Sequence, residues 1–241
     1  MALPTKVLVG TFAVAVTAVT ALTCPPHIGP KGVRVHLPPS FENNTYHSSC
    51  AAPPTGWYFQ PWSMFYAFIP QYAAFRNFQY DPTPIDPSKP AGLVNDLSSF
   101  QLPGNETIYT ACGVDTPHPT FLAVLDYAGT GILEGAISKY SMLAWGCDTH
   151  RAKYYASYST AAELSGTPAG IDVMSTSDVG PDEATVGALA EALEKLGNAE
   201  ISALVATLTK TTQDGRRKGL PMVNTYDDYC KSNEDLINII S

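Results

Sequence analysis

The chain has 241 residues, 45% hydrophobic and 15% charged, a balance that supports a packed core and excludes a disordered protein. Lys and Arg total 14 against 22 Asp and Glu; the net charge of −8 repels phosphate backbones and argues against a nucleic-acid partner. With 20 Pro, 18 Gly and 13 Tyr, turns and aromatic side chains are frequent, which favours short strands over a long helical bundle.

At the N-terminus Lys6 precedes an apolar run over residues 7–21, shorter than the roughly 20 residues of a membrane span. Residues 1–21 read as a secretory signal peptide, with Val19 and Ala21 at the −3 and −1 positions and cleavage after Ala21. No later stretch is long and apolar enough to cross a bilayer, so no stable span is expected once the signal is removed. Asn43 and Asn105 each open an N-x-T glycosylation acceptor. Five cysteines follow, Cys24, Cys50, Cys112, Cys147 and Cys230, widely spaced and without a C-x-x-C pair. They predict two disulfides and one free thiol. Their positions suggest Cys50 with Cys230 and Cys112 with Cys147, although spacing alone does not fix the connectivity. These features predict a secreted protein or one of the secretory-pathway lumen.

Residues 22–55 carry seven prolines and read as an extended lead-in, because proline removes a ladder donor and fixes φ. Strand-like segments follow at 57–68, 75–80, 92–101, 107–114, 120–127, 132–145, 153–160 and 170–175, separated by Gly- and Pro-containing turns. In the first of them Trp62, Met64, Tyr66 and Phe68 share one period-2 face. Eight such strands at short spacing predict an antiparallel barrel or sandwich over residues 56–178. The period then changes. Gly180-Pro181-Asp182-Glu183 opens a helix with the apolar stripe Val186, Leu189, Leu193 and Leu196, and Gly197 stops it. Asn198 caps a second helix with Ile201, Leu204, Val205 and Leu208. The charged loop 214–219 reads as a solvated turn, and 228–240 as a short tail helix. Residues 179–241 thus form a helical C-terminal segment expected to pack on the barrel.

Familiar catalytic patterns are missing: there is no G-x-S-x-G elbow, P-loop, dinucleotide glycine fingerprint or H-E-x-x-H. The histidines are scattered, and the loop pairs Asp115/His118 and Asp148/His150 read as structural. Neither a metal nor a cofactor is expected. What the strands offer is aromatic side chains, and an eight-stranded barrel encloses just enough room for one small ligand. Apolar walls carrying hydroxyl and indole donors suit a hydrophobic small molecule.

The order Trp62, then Arg76-Asn77, then Leu93-Val94-Asn95-Asp96-Leu97-Ser98-Ser99-Phe100-Gln101 resembles the fungal secreted lipocalin-like proteins. So do Gly113-Val114-Asp115-Thr116-Pro117, Asp126-Tyr127-Ala128-Gly129-Thr130-Gly131-Ile132-Leu133, Leu143-Ala144-Trp145-Gly146 and Thr167-Pro168-Ala169-Gly170-Ile171-Asp172. These blocks cover residues 56–175, about half the chain. One departure is Gln60, which stands where the lipocalin first-strand signature has a glycine two residues before its tryptophan. The resemblance implies an eight-stranded lipocalin-like barrel. That family includes pericyclases of fungal secondary metabolism, among them hetero-Diels–Alderases joining a quinone methide to a terpene alkene, and also plain ligand carriers.

On that reading Trp62, Met64, Tyr66 and Phe68 line the cavity. Asp126 is the candidate acid if its strand points it inward, and otherwise an exposed turn-entry carboxylate. Tyr140 and Tyr158 are the candidate donors to a substrate oxygen. Arg76 either bridges the closed end of the barrel by packing on Trp62 or polarises the substrate.

Overall fold

The computed structural model describes residues 24–25, 28–41, 52–68, 70–215, 217 and 226–239. The segment read as a signal peptide, Asn43 and Cys50 lie outside them. In chain order the elements are β1 (Trp62–Ala67), α1 (Pro70–Ala74), β2 (Arg76–Tyr80), β3 (Thr83–Pro84), β4 (Val94–Gln101), β5 (Ile108–Pro117), β6 (Val124–Gly129) and β7 (Ile137–Cys147). Then come β8 (Lys153–Ser159), β9 (Gly170–Ser175), α2 (Glu183–Glu194), α3 (Ala199–Ala206), β10 (Thr209–Lys210) and α4 (Asp228–Ser232). Setting aside the two-residue strands β3 and β10, eight strands run in the order β1-β2-β4-β5-β6-β7-β8-β9, and β9 pairs back onto β1. Every ladder between them is antiparallel. The protein is therefore a closed eight-stranded up-and-down barrel, the lipocalin-like architecture, in which no barrel strand is left as an edge.

Alternation sorts side chains into two buried layers. Inside the barrel lie Met64, Phe78, Phe100, Met142, Tyr155 and Met174. On the outer face of β7, β8 and β9, the side chains of Leu143, Tyr154, Ala156, Ile171 and Val173 meet Leu189 and Leu193 of α2 and Ile201, Leu204 and Val205 of α3. The helices begin where their caps dictate: Asp182 accepts from the Thr185 amide at 2.8 Å and Asn198 from the Ile201 amide at 3.0 Å. Gly180, at φ +84°, passes so close to Phe65 that a β-carbon there would lie 2.6 Å from the ring. The proline-rich lead-in shares this outer layer. Val33 is buried there, the Gly29 amide bonds to the Cys147 carbonyl at 2.8 Å and the His36 amide to that of Leu143 at 3.1 Å. Among the described residues no helix is long and apolar enough to cross a membrane.

The disulfides join Cys24 to Cys147 and Cys112 to Cys230, with Cα–Cα separations of 5.6 and 5.8 Å. This corrects both pairings suggested by the spacing. Cys112 lies on β5 and Cys147 on β7, with β6 between them, and two strand spacings exceed the reach of a disulfide. The side chain of Cys112 instead faces outward beside Leu97, where the C-terminal tail packs. The tail is not one helix. Asn233, left-handed at φ 55°, ends α4, accepts from the Cys112 amide at 2.7 Å and donates to the Cys112 and Thr130 carbonyls at 2.9 and 2.7 Å.

The charged loop also departs from expectation. Asp214 accepts from the Arg76 guanidinium, and Arg217 donates to the Asn77 carbonyl at 2.9 Å and the Ser99 hydroxyl at 3.0 Å. Asp214 and Arg217 are therefore tied to β2 and β4, unlike side chains of a free solvated turn; residues 216, 218 and 219 lie outside the described residues. Arg76 accordingly does not bridge onto Trp62. Trp62 pairs with Tyr80, four residues further along β2, and Arg76 anchors the loop at the opposite end of that strand.

Candidate functional site

The interior holds two connected chambers. The first, with a volume of about 320 Å³, reaches the loops that precede β1, β4 and β6 through Pro53, Phe59, Pro90 and Phe121. The second, about 330 Å³, lies toward the opposite barrel end and is lined there by Phe75 and by the tail residues Leu236 and Ile239. Tyr72, Phe78, Asp96, Ser98 and Tyr140 line both and form a waist between them. Each volume falls in the range of small-molecule sites, and the walls are mainly aromatic, Met and Ala side chains. Gly113, opposite Asp96 on β5, makes room for this arrangement: a β-carbon there would lie 2.2 Å from the Tyr127 ring.

Three carboxyl groups are buried on β4, β5 and β9: Asp96, Asp115 and Asp172, exposed by 7%, 1% and 5%; Asp96 and Asp172 line the chambers and Asp115 lies behind the wall. Asp172 lines the first chamber, and its Oδ1 has no hydrogen-bond partner among the described residues. Burial alone raises its carboxyl from the ordinary value to about 7. Asp96 and Asp115 form a pair. Burial and the neighbouring Asp115 push Asp96 well up, so it keeps its proton, while Asp115 Oδ1 has no hydrogen-bond partner among the described residues. The other oxygen of Asp115 accepts from the Tyr80 hydroxyl at 3.0 Å, which accepts from the Tyr58 hydroxyl at 2.9 Å. Burial raises Tyr140, Tyr155 and Tyr58 well above the ordinary phenol value, so these hydroxyls stay protonated. A buried ionisable group without a partner is costly to the fold and marks a site built to meet something else.

The structure brings together only part of the residues singled out by sequence. Tyr140 stands at the waist and Met64 lines the first chamber. Trp62 is fully buried behind that wall, its ring 4.7 Å from Tyr155 and 5.2 Å from Trp57, with Nε1 donating to the Tyr58 carbonyl at 2.8 Å. The cation near this cluster is Lys153, 5.7 Å from the Trp57 ring centre. Tyr66 and Phe68 do not share the inward face. The register of β1 against β9 shifts between Met64 and Tyr66, and this bulge turns both aromatics outward into the layer under the helices. Tyr158 also faces outward, donating to Glu200 of α3 at 2.9 Å. Asp126 pairs with Lys139 at 3.1 Å across β6 and β7, and both side chains are substantially exposed, which removes it from the interior. Asn105 is half-buried at a turn, its amide nitrogen donating to the Tyr109 hydroxyl at 3.0 Å.

Asp96 and Asp172 were missed as site residues, although both stood in segments quoted for the resemblance. The available signal was a carboxylate inside a short apolar strand, as in Gly170–Ser175, where a period-2 reading places Asp172 with Met174 and away from Ile171 and Val173.

No family model matches the chain. Two crystal structures resemble it at low sequence identity. Lobster apocrustacyanin A1 is 13% identical with a TM-score of 0.43, and apocrustacyanin C2 is 14% identical with a TM-score of 0.44; each match covers 64% of this chain and 76% of the other. A relative is nearer in sequence. Botcinic acid biosynthesis cluster B protein 12 of Botryotinia fuckeliana (strain B05.10) is 33% identical over 198 residues, covering 78% of this chain and 88% of its own length. The chain belongs to the family of that protein.

Proposed function

We propose that the protein binds a hydrophobic polyketide or terpenoid of fungal secondary metabolism in the barrel and promotes a stereoselective cyclisation of the (hetero-)Diels–Alder type. The observation that carries this reading is Asp172, a buried carboxyl on the wall of a cavity of about 320 Å³ rich in apolar and aromatic groups, with one oxygen that has no hydrogen-bond partner among the described residues. The Botryotinia relative is named for a biosynthesis cluster, which supports a role in secondary metabolism. The two disulfides suit an oxidising compartment, and we place the protein outside the cell or in the secretory-pathway lumen.

A cycloaddition needs no nucleophile. A C=C–C=O heterodiene and an alkene form one C–C and one C–O bond, three π bonds become one, and no atom leaves. Holding two apolar partners at reacting distance supplies up to roughly 7–11 kcal/mol in favourable cases. Neutral Asp172 donates to the heterodiene oxygen as charge builds there, Tyr140 offers a second donor from the waist, and both keep their protons at the end. Met64 helps wall the site and Trp62 backs Tyr155. Asp126 and Tyr158 face away from the cavity, and the acid role passes to Asp172.

The test mixes purified protein with an ortho-quinone methide generated in solution and a terpene alkene, reading rate and diastereomer ratio. A faster reaction with one favoured diastereomer supports catalysis. The C-terminal tail residues Leu236 and Ile239 on the wall of the second chamber favour a second reading, retention of a ligand by a non-catalytic carrier. Bound ligand with unchanged rate and product ratio leaves only carriage, and tryptophan fluorescence unmoved by any apolar compound overturns both.

A further inference from the structure

The charges inside the barrel are one-sided. Asp96 and Asp172 line the chambers and Asp115 lies behind the wall, yet among the described residues neither chamber is lined by a Lys or Arg; the one basic ring, His118, sits in the β5–β6 loop. Its Nδ1 accepts from the Thr120 and Phe121 amides at 3.2 Å each, which leaves Nε2 as the donor, in the loop and away from the strand carboxyls. A buried anion therefore finds no Lys or Arg on the walls and three carboxyl groups nearby, while wall hydroxyls such as those of Tyr140 and Tyr72 are partners for an oxygen acceptor. Asp172 Oδ1 is buried without a hydrogen-bond partner among the described residues, so this carboxyl carries no compensating cation either.

Building on the ligand-binding reading above, we infer that the cavity is a charge filter: it takes uncharged, oxygen-bearing hydrophobic molecules such as lactones, enones and quinone methides, and excludes their carboxylate counterparts. Asp172 and Asp96 set this selectivity. Neutral Asp172 donates to a carbonyl oxygen; with no Lys or Arg on the walls, a carboxylate guest loses its hydration without gaining a counter-charge and is repelled by any aspartate that is ionised. A protonated amine is also disfavoured. Burial beside Asp115 holds Asp96 protonated, and an ammonium group loses its hydration on a route that passes apolar Phe121 and Leu122.

The test uses the full chain and three probes of equal carbon number: γ-dodecalactone, laurate and dodecylamine, titrated calorimetrically at pH 7.5. The expected result is measurable lactone binding, with laurate and dodecylamine each at least about tenfold weaker. In the double variant Asp96→Asn, Asp172→Asn, the laurate deficit narrows to within about threefold; if that variant does not fold, the wild-type ratios decide. Laurate binding as tightly as the lactone overturns the filter while leaving the ligand-binding reading intact, and dodecylamine binding more tightly than the lactone overturns the preference for uncharged guests. Failure of all three probes to bind overturns the ligand-binding reading and the filter with it.

Discussion

Met64 and Tyr66 stand two residues apart on one strand yet face opposite sides of the barrel wall, Met64 into the first chamber and Tyr66 into the layer beneath the helices. The bulge between them, seen as a register shift against Met174 and Val173, breaks the period-2 alternation at one position and separates cavity from scaffold. Met64→Trp therefore fills the first chamber and abolishes ligand binding, at an overpacking cost of about 1–3 kcal/mol. Tyr66→Phe leaves ligand affinity unchanged. Titration of both variants with γ-dodecalactone, alongside chemical denaturation, checks the contrast.

Asp172 sets function against stability. Its carboxyl is raised to about 7 in the fold, so between the ordinary carboxyl value and pH 7 the folded state binds more protons than the unfolded one, and stability falls as pH rises through that window. Three pH units at 1.36 kcal/mol each make this on the order of 4 kcal/mol. Asp172→Asn removes that slope. The variant is expected to be more stable than wild type at pH 8, to lose the advantage near pH 4, and to catalyse the cyclisation about 100-fold more slowly. Guanidinium unfolding at both pH values, paired with the cyclisation assay, reads all three.

The exterior ion pair between Asp126 and Lys139 is a built-in control. Exposed pairs contribute about 0–1 kcal/mol, so Asp126→Asn is expected to change unfolding free energy by less than that and to leave rate and product ratio where they were. A large loss of activity in this variant contradicts the placement of the acid on β9.

The Cys112–Cys230 bridge closes 118 residues of chain and holds the tail that ends the second chamber. The double variant Cys112→Ser, Cys230→Ser is expected to lose about 4–5 kcal/mol by the loop-entropy model and to release bound ligand faster. Thermal melts and dissociation kinetics measure the two effects separately.

The barrel was legible because most of its strands alternate and end at a Gly- or Pro-containing turn, and the helices because Asp182 and Asn198 cap them. The site was less so. A bulge is a single-residue event that no periodicity marks in advance, and Tyr66 and Phe68 were misplaced for that reason. Asp96 and Asp172 look, residue by residue, like ordinary strand carboxylates; only the closed sheet shows that their side chains converge from strands far apart in sequence. The disulfides depended on which strands ended as neighbours, and cysteine spacing does not contain that.

The central claim is that the barrel is built around a buried, neutral acid awaiting a ligand oxygen. Carbon-13 NMR of aspartate-labelled protein, with Asp172 assigned through the Asp172→Asn variant, tests it most directly. The account predicts a carboxyl titrating near pH 7 that shifts when γ-dodecalactone is added. A carboxyl titrating near pH 4 and indifferent to the lactone contradicts it.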